Sequence, residues 1–229
     1  MPDIAANLTS LKNRIPALVK IVAVSKTKPA KDILEAYNCG QRIFGENRVP
    51  EILRKKDQLP SDISWHMIGH LQTNKVKAIV PFISMIESVD SFRLLVSVDA
   101  ESLKNQRITD CLLQVHIAEE ETKTGFSPEE LASELDSSGF RQLKNIRICG
   151  LMGMATYTSD LAQVRKEFRF LSDCFNDLKN KYFSDDPDFR EISMGMSGDY
   201  KIAVEEGSTM IRVGSLIFGE RNKNHSDNA

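Results

Sequence analysis

Two kinds of hydrophobic pattern alternate along the chain. Short apolar runs rich in Val, Ile and Leu are typical of strands that are covered on both faces. Longer segments with apolar residues three or four positions apart are typical of amphipathic helices. The apolar runs predict eight strands, within 21–24, 42–47, 64–70, 82–90, 111–118, 145–154, 191–194 and 209–219.

Helical segments lie between these strands. An opening helix carries apolar residues at helical spacing from about residue 3 and ends before Pro16. Ser127 followed by Pro128 and two glutamates predicts the start of another helix, with Ser127 as its N-cap. The predicted helices end near residues 15, 39, 59, 80, 105, 139, 183 and 206.

This alternation, without any Pro/Gly-rich linker, predicts a single-domain (β/α)8 TIM barrel over residues 1–229. The barrel would include an N-terminal helix at 1–15 and a loose polar tail at 222–229. A doubly wound open sheet is the alternative. It is disfavoured because no predicted strand is followed by a G-x-G-x-x-G motif or a P-loop.

Composition narrows the class of protein. A formal net charge of -2 gives no broad basic field for nucleic acid or an anionic membrane. Four widely spaced cysteines form no CxxC pair, which indicates reduced thiols. Neither a secretory signal nor an apolar run of membrane-spanning length is found. We expect a cytoplasmic monomer.

The first strand ends at a lysine. Because side chains alternate along a strand, Val22, Val24 and Lys26 share one face, while Ile21 and the other odd-numbered residues share the opposite one. An ammonium held over apolar side chains has a lowered pKa, and the resulting amine can condense with an aldehyde. Lys26 is therefore a candidate Schiff-base lysine. A solvated lysine that ends the strand is the alternative.

Sites in such barrels lie at the carboxyl ends of the strands. The candidate residues there are Lys26, Asn47, His66, His70, Met154, Ser197, Gly198, Arg212, Gly214 and Ser215. The turn with Ser197 and Gly198 precedes a helix, so its backbone N–H groups can approach a phosphate. Alternatively, Ser197 and Asp199 only cap that helix.

Arg212 lies among apolar residues of the last strand and needs an acceptor. A phosphate, a ring nitrogen or a carboxylate such as Glu205 or Glu206 could supply it. His66 and His70 lack the helical spacing of a zinc site, so we predict no metal and expect a hydrogen-bonded role for one of them.

The charged runs at 54–57, 119–122 and 185–188 are typical of solvated helix faces and loops. We assign no chemistry to these three runs.

Six motifs together resemble the pyridoxal phosphate homeostasis protein family. They run through nearly the whole chain in order: AVSKTKP at 23–29, IFGENRVPE at 43–51, WHMIGHLQTNK at 65–75, GLMGMAT at 150–156, SMGMSGDY at 193–200 and EEGSTMIRVGSLIFGER at 205–221. The residues at 48–50 depart from the family, which usually has a tyrosine or similar residue before Val-Gln-Glu.

The resemblance implies a barrel like the N-terminal domain of alanine racemase. It implies pyridoxal 5'-phosphate (PLP) bound covalently to Lys26 as an internal aldimine, with Arg212 directed at the pyridine nitrogen. The phosphate would be held by the Ser197-Gly198 turn and the Gly214-Ser215 loop. Asn47 and Met154 complete the expected cofactor-binding set.

The family resemblance favours a carrier that buffers PLP or delivers it to PLP-dependent apoenzymes, in vitamin B6 homeostasis. The alternative is a small PLP-dependent amino-acid racemase, which needs a second acid/base opposite the lysine. Racemases of this kind supply a tyrosine from a C-terminal β domain, and only about ten residues follow Gly219. Tyr157 and Tyr200 are the tyrosines near the predicted site loops. A barrel enzyme acting on a free phosphorylated metabolite is a third possibility.

Overall fold

Eight parallel strands close into a barrel in sequential order in the computed structural model, which describes residues 2–120 and 124–220. Strand β1 pairs with both β2 and β8, so the predicted TIM barrel is confirmed and the open-sheet alternative is wrong. The strands are β1 Lys20–Val24, β2 Ile43–Glu46, β3 Ser64–Met67, β4 Met85–Val89, β5 Thr109–Gln114, β6 Ile146–Met152, β7 Glu191–Ser193 and β8 Met210–Val213.

Helices surround the barrel. A single 3-10 turn, Thr73–Lys75, precedes α4. The α-helices are α1 Ile4–Lys12, α2 Ala30–Asn38, α3 Val49–Lys56, α4 Val76–Ile79, α5 Phe92–Lys104, α6 Pro128–Asp136, α7 Ser138–Gln142, α8 Leu161–Tyr182, α9 Tyr200–Glu205 and α10 Ser215–Phe218. In the part of the chain that the structure describes, none of the helices is both long enough and apolar enough to cross a membrane.

Strand alternation divides the apolar side chains into two layers. Val22 and Val24 belong to the inner cluster, with Ile68 just after β3 and apolar residues of β4, β5, β6 and β8. Ile21 and Ala23 belong to the larger cluster between the strands and the helices. The predicted division of β1 into two faces is confirmed.

Two predicted elements differ from the structure. The last apolar run is not one strand, because β8 ends at Val213 and the chain turns at Gly214 into α10. The buried side chains of Ile217 and Phe218 lie in the outer cluster, and short buried helices and strands have the same apolar signature. The helix predicted to end near 139 is two helices, since Ser137 is extended and caps α7. The predicted tail at 222–229 lies outside the described residues.

A β-bulge in β6 requires glycine at position 150. Cys111 pairs with Ile148, but Leu112 pairs with Gly150, so Cys149 is an extra residue. Gly150 has a φ of +147°, and a Cβ there would lie 1.8 Å from the carbonyl oxygen of Glu191. The bulge sets the register with which β6 reaches the carboxyl end of the barrel.

Gly150→Ala should therefore destabilise the fold by roughly 2–4 kcal/mol, because the methyl group meets fixed backbone and the φ suits only glycine. Urea unfolding followed by circular dichroism measures the loss. Gly198→Ala is the matched control, since a Cβ at Gly198 meets nothing within 4 Å. Equal stability of the two variants would contradict this account of the bulge.

Candidate functional site

The barrel fold brings the predicted site residues to one end of the barrel. Lys26 and Asn47 follow β1 and β2, and Arg212 lies inside β8. Met154, Ser197, Gly198 and Gly214 lie in the loops after β6, β7 and β8, and Ser215 is the first residue of α10, directly after the last of these loops. Each of these positions is at a carboxyl end, where sites of TIM barrels lie.

Lys26 is half-buried and occupies a tight turn directly after β1. The turn is closed by a hydrogen bond of 3.0 Å from the Lys28 backbone N–H to the Ser25 carbonyl oxygen. The Lys28 ammonium donates to the carbonyl oxygens of Phe218, at 2.8 Å, and Gly219, at 3.2 Å. The loop that carries Lys26 is thus tied to the end of α10.

Arg212 is buried at the top of the barrel interior, with 4% of its surface exposed. Its Nη1 donates to Ser193 Oγ at 2.6 Å, and its Nη2 donates to the Gly153 carbonyl oxygen at 2.9 Å. Burial lowers the pKa of Arg212. The negative charge of Glu87, whose Oε2 lies 3.9 Å from Arg212 Nη1, acts in the opposite direction and raises it. The guanidinium nevertheless stays charged, because its ordinary pKa is far above neutrality.

Glu87 on β4 is the carboxylate that balances this charge. Its Oε2 accepts from Ser193 Oγ at 2.5 Å, and its Oε1 lies 2.7 Å from His66 Nδ1. Complete burial would raise the pKa of Glu87, but the hydrogen bond from His66 and the charge of Arg212 outweigh it and lower the pKa. Since an ionised carboxylate only accepts, His66 Nδ1 carries the hydrogen.

The proposed pairing of Arg212 with Glu205 or Glu206 is wrong. Both carboxylates face α8, where Arg165 binds both, and Arg169 donates to Glu206 at 3.0 Å. The arginines of α8 therefore neutralise these two carboxylates, and the carboxylate nearest Arg212 is Glu87 on β4.

The two histidines make hydrogen bonds to carboxylates, as expected for at least one of them. His66 binds Glu87, and His70 Nδ1 lies 2.7 Å from Asp90 Oδ2. Trp65 packs on Phe44 with ring centroids 6.1 Å apart. Within residues 2–120 and 124–220, no three His, Cys, Asp or Glu side chains group together as a metal site would need.

Asn47 carries an unsatisfied acceptor. Its Oδ1 is buried and has no hydrogen-bond partner among the described residues. Gly69 approaches the same residue so closely that a Cβ would lie 2.5 Å from the Asn47 carbonyl oxygen. A buried oxygen without a donor costs stability, so its presence at the end of β2 fits a ligand that supplies the donor.

The loops after β7 and β8 touch each other. The Gly214 N–H donates to Ser197 Oγ at 3.4 Å, and the space next to Gly198 is open. Asp199 occupies the N-cap position of α9, as the helix-cap interpretation expects, but no side chain makes a capping hydrogen bond there. Asp199 Oδ1 instead accepts from the Met196 N–H. These two loops can enclose an anion.

The two tyrosines near the site differ in burial. Tyr157 is 95% exposed, whereas Tyr200 is buried in the outer cluster. Neither packs into the barrel mouth beside the inner cluster.

One expectation about charge is wrong. The run at 54–57 is not uniformly solvated, because Lys55 is buried on the inner side of α3. Its ammonium donates to the Ser25 carbonyl oxygen at 2.9 Å and to Glu46 Oε1 and Glu51 Oε1, both at 2.7 Å. α3 is amphipathic, and its helical spacing turns Lys55 inward together with Ile52.

The sequence patterns did not identify four further residues: Glu46, Glu51, Glu87 and Ser193. A signal existed for Glu87, which is an acidic residue in the otherwise apolar or small run Met85–Val89. A buried strand tolerates such a charge only with a partner. No local signal identified which residue that partner would be.

These features define a TIM barrel of the alanine racemase type. The family described as "Alanine racemase, N-terminal domain" matches residues 1–222. D-threonine aldolase from Filomicrobium marinum shares this fold, with a TM-score of 0.75 at 14% identity over 94% of this chain and 60% of that chain.

Closer relatives specify the family further. Pyridoxal phosphate homeostasis proteins of Aquifex aeolicus and Homo sapiens are 40% and 39% identical to the chain, over 203 and 219 residues. These alignments cover 88% and 90% of this chain, and 87% and 78% of the relatives. The chain belongs to the pyridoxal phosphate homeostasis protein family, and the resemblance inferred from its motifs is confirmed.

A solved structure agrees with this assignment. PipY of Synechococcus elongatus PCC7942 is 38% identical, and the match covers 95% of this chain and 100% of PipY. The TM-score is 0.88 for PipY without PLP and 0.86 for PipY with PLP bound.

Glu87→Gln should destabilise the protein by about 3 kcal/mol at pH 7, because it leaves the buried Arg212 charge without a counter-charge. The folded pKa of Glu87 lies below its ordinary value of 4.5. Its stabilising effect is therefore present above about pH 4.5 and is lost as the pH falls through the lower folded value.

Urea unfolding of wild type and variant at pH 7 and at pH 3.5 measures this difference. Glu101→Gln is the control, since it removes an i,i+3 pair with Lys104 on the surface and should cost under about 1 kcal/mol. A loss for Glu87→Gln that is the same at both pH values would contradict the assigned charge.

Proposed function

We propose that the protein stores and carries PLP, held at the carboxyl end of the barrel by a Schiff base with Lys26. The observation that carries this proposal is the position of Lys26, directly after β1 at the barrel end that also holds Arg212 and the two contacting loops. The protein belongs to the family named for PLP homeostasis, and its relative PipY is described with PLP bound.

The chemistry of Lys26 suits reversible storage. PLP supplies an aldehyde and a phosphate to whichever site binds it. A Schiff base would form by addition of the Lys26 nitrogen to the aldehyde carbon, with loss of one water molecule. Because water reverses the reaction, the same bond that holds the cofactor also allows its release to PLP-dependent apoenzymes.

We assign the phosphate to Ser197, Gly198, Gly214 and Ser215. The contact between Ser197 Oγ and the Gly214 N–H brings their two loops together, and the open space beside Gly198 leaves room for an anion. Ser215 is exposed at the start of α10. Small residues at these positions let backbone N–H groups reach the phosphate oxygens.

We assign Arg212 to the pyridine nitrogen. Ser193, Gly153 and Glu87 hold its guanidinium in one orientation inside the barrel. A guanidinium does not give up its proton, so it leaves the ring nitrogen unprotonated and weakens the cofactor as an electron sink. This favours binding over amino-acid chemistry.

Asn47 and Met154 complete the proposed pocket. The buried Oδ1 of Asn47 offers an acceptor to the cofactor, and Met154 packs half-buried against the inner cluster as an apolar wall.

All four cysteines are free, which is consistent with the expected cytoplasmic location. We also infer a monomer, since one barrel supplies every proposed contact.

Lys26→Ala should abolish the Schiff base and leave the fold intact, because it removes a half-buried amine and no core volume. The measurement is the visible absorbance of the PLP-treated protein, followed by borohydride reduction and peptide mapping. Lys201→Ala, which removes an exposed lysine of α9, is the control. A reduced adduct that persists in Lys26→Ala, or that maps to another lysine in the wild type, would refute the assignment.

Arg212→Lys should keep a buried positive charge but lose the planar set of donors. We expect PLP affinity to fall about tenfold, equivalent to about 1.4 kcal/mol, with a shifted absorbance maximum. Arg147→Lys, a half-exposed arginine of β6, serves as the control. An unchanged spectrum and affinity would place Arg212 outside cofactor contact.

A further inference from the structure

The turn that carries Lys26 is strained at the next residue. Thr27 has a φ of +66° and is the third residue of the turn closed between Ser25 and Lys28. Positive φ at that position normally requires glycine, and a β-branched residue there is unfavourable. Such strain is unfavourable and persists only where surrounding contacts impose it.

Helix α3 supplies those contacts. Glu51 Oε1 accepts from the Thr27 N–H at 2.5 Å and from Lys55 Nζ at 2.7 Å. Lys55 also donates to the Ser25 carbonyl oxygen at 2.9 Å. The two residues on either side of Lys26 are thus bound by one carboxylate and one ammonium that bind each other.

Glu46 extends this cluster into the barrel wall. Its Oε1 accepts from Ser25 Oγ at 2.6 Å and from Lys55 at 2.7 Å, so all three hydrogens of the Lys55 ammonium have acceptors. Burial raises the pKa of Glu46, against the opposing effects of Lys55 and Ser25.

Fold stability alone does not account for this arrangement. Buried ion pairs contribute little net stability compared with apolar packing, and Glu46 Oε2 has no hydrogen-bond partner within the described residues. A glycine at position 27 would form the same turn without strain and without the ions. The one residue between the two positions that the cluster binds, Ser25 and Thr27, is Lys26.

We propose that Glu51 and Lys55 are positioning residues, which hold the strained turn so that the Lys26 amine is presented to the cofactor before the cofactor arrives. This inference rests on the proposed Schiff base at Lys26. Holding a reactive group in its bound geometry removes an ordering cost from each binding event. Glu51 and Lys55 therefore slow PLP release without touching PLP.

The test compares Glu51→Ala with the double variant Thr27→Gly/Glu51→Ala. Loss of Glu51 should let the turn relax, so release of PLP to excess hydroxylamine should become about tenfold faster. Glycine at position 27 adopts the turn without strain, so the double variant should recover most of the wild-type rate. A residue with a merely structural role would show no such rescue.

A second readout uses the PLP-free protein. Hydrogen exchange of the amides at 25–28 should accelerate in Glu51→Ala and recover in the double variant, because these amides lie within the turn. Glu101→Ala removes a comparable helix carboxylate paired with Lys104 and should leave both readouts unchanged. If Glu51→Ala unfolds, Glu51→Gln replaces it, since it removes only the charge.

The outcomes separate the two proposals. Wild-type release and exchange rates in Glu51→Ala, in a protein whose Lys26 forms the reducible adduct, would overturn the positioning role and leave the proposed function standing. Faster release without rescue by Thr27→Gly would also overturn it. A wild-type protein that forms no adduct on Lys26 would overturn both.

Discussion

The buried guanidinium of Arg212 is the constraint on which the upper barrel depends. A charge inside an apolar barrel is tolerated only where acceptors surround it. Arg212 obtains them from Ser193 and Gly153, and its counter-charge from Glu87 across the barrel. Glu87 is itself fully buried and needs His66. One cation on β8 thus dictates polar residues on β3, β4 and β7, and an apolar inner cluster fills the remainder of the barrel interior.

A second ionic cluster lies behind Lys26, formed by Glu46, Glu51 and Lys55. One cluster is linked to Arg212, and the other is linked to the turn that carries Lys26. Both are rigid, since nearly all of their hydrogen-bonding groups are used. The proposed ligand therefore meets a lysine and an arginine whose directions are already fixed, whereas the two phosphate loops keep small residues and open space. This arrangement suits tight, reversible retention.

Sequence patterns predicted the barrel because each strand carries its own periodicity. They also singled out Lys26, after the end of an apolar run, and Arg212, inside one, because a charge beside apolar residues is visible in the local sequence. The ionic partners could not be found in this way. Glu87 and Arg212 are distant in sequence, and only closure of β1 on β8 brings their strands around one interior. Lys55 was misjudged because a charged run gives no indication of which member faces inward, although the helical position of Ile52 does.

The burial of one lysine in the charged run at 54–57 also bears on function. Three consecutive basic residues end α3, and they differ in burial. Arg54 is exposed, whereas Lys55 is buried. Solvation would have satisfied Lys55 at no cost, so its burial needs a reason beyond folding. The strained turn at Thr27 supplies that reason, because a glycine at this position would have made the ionic contacts unnecessary. The chain combines a strained turn with buried charges that hold the turn in place. The contacts of these charges lie on either side of one residue, so they constrain the position of that residue, Lys26.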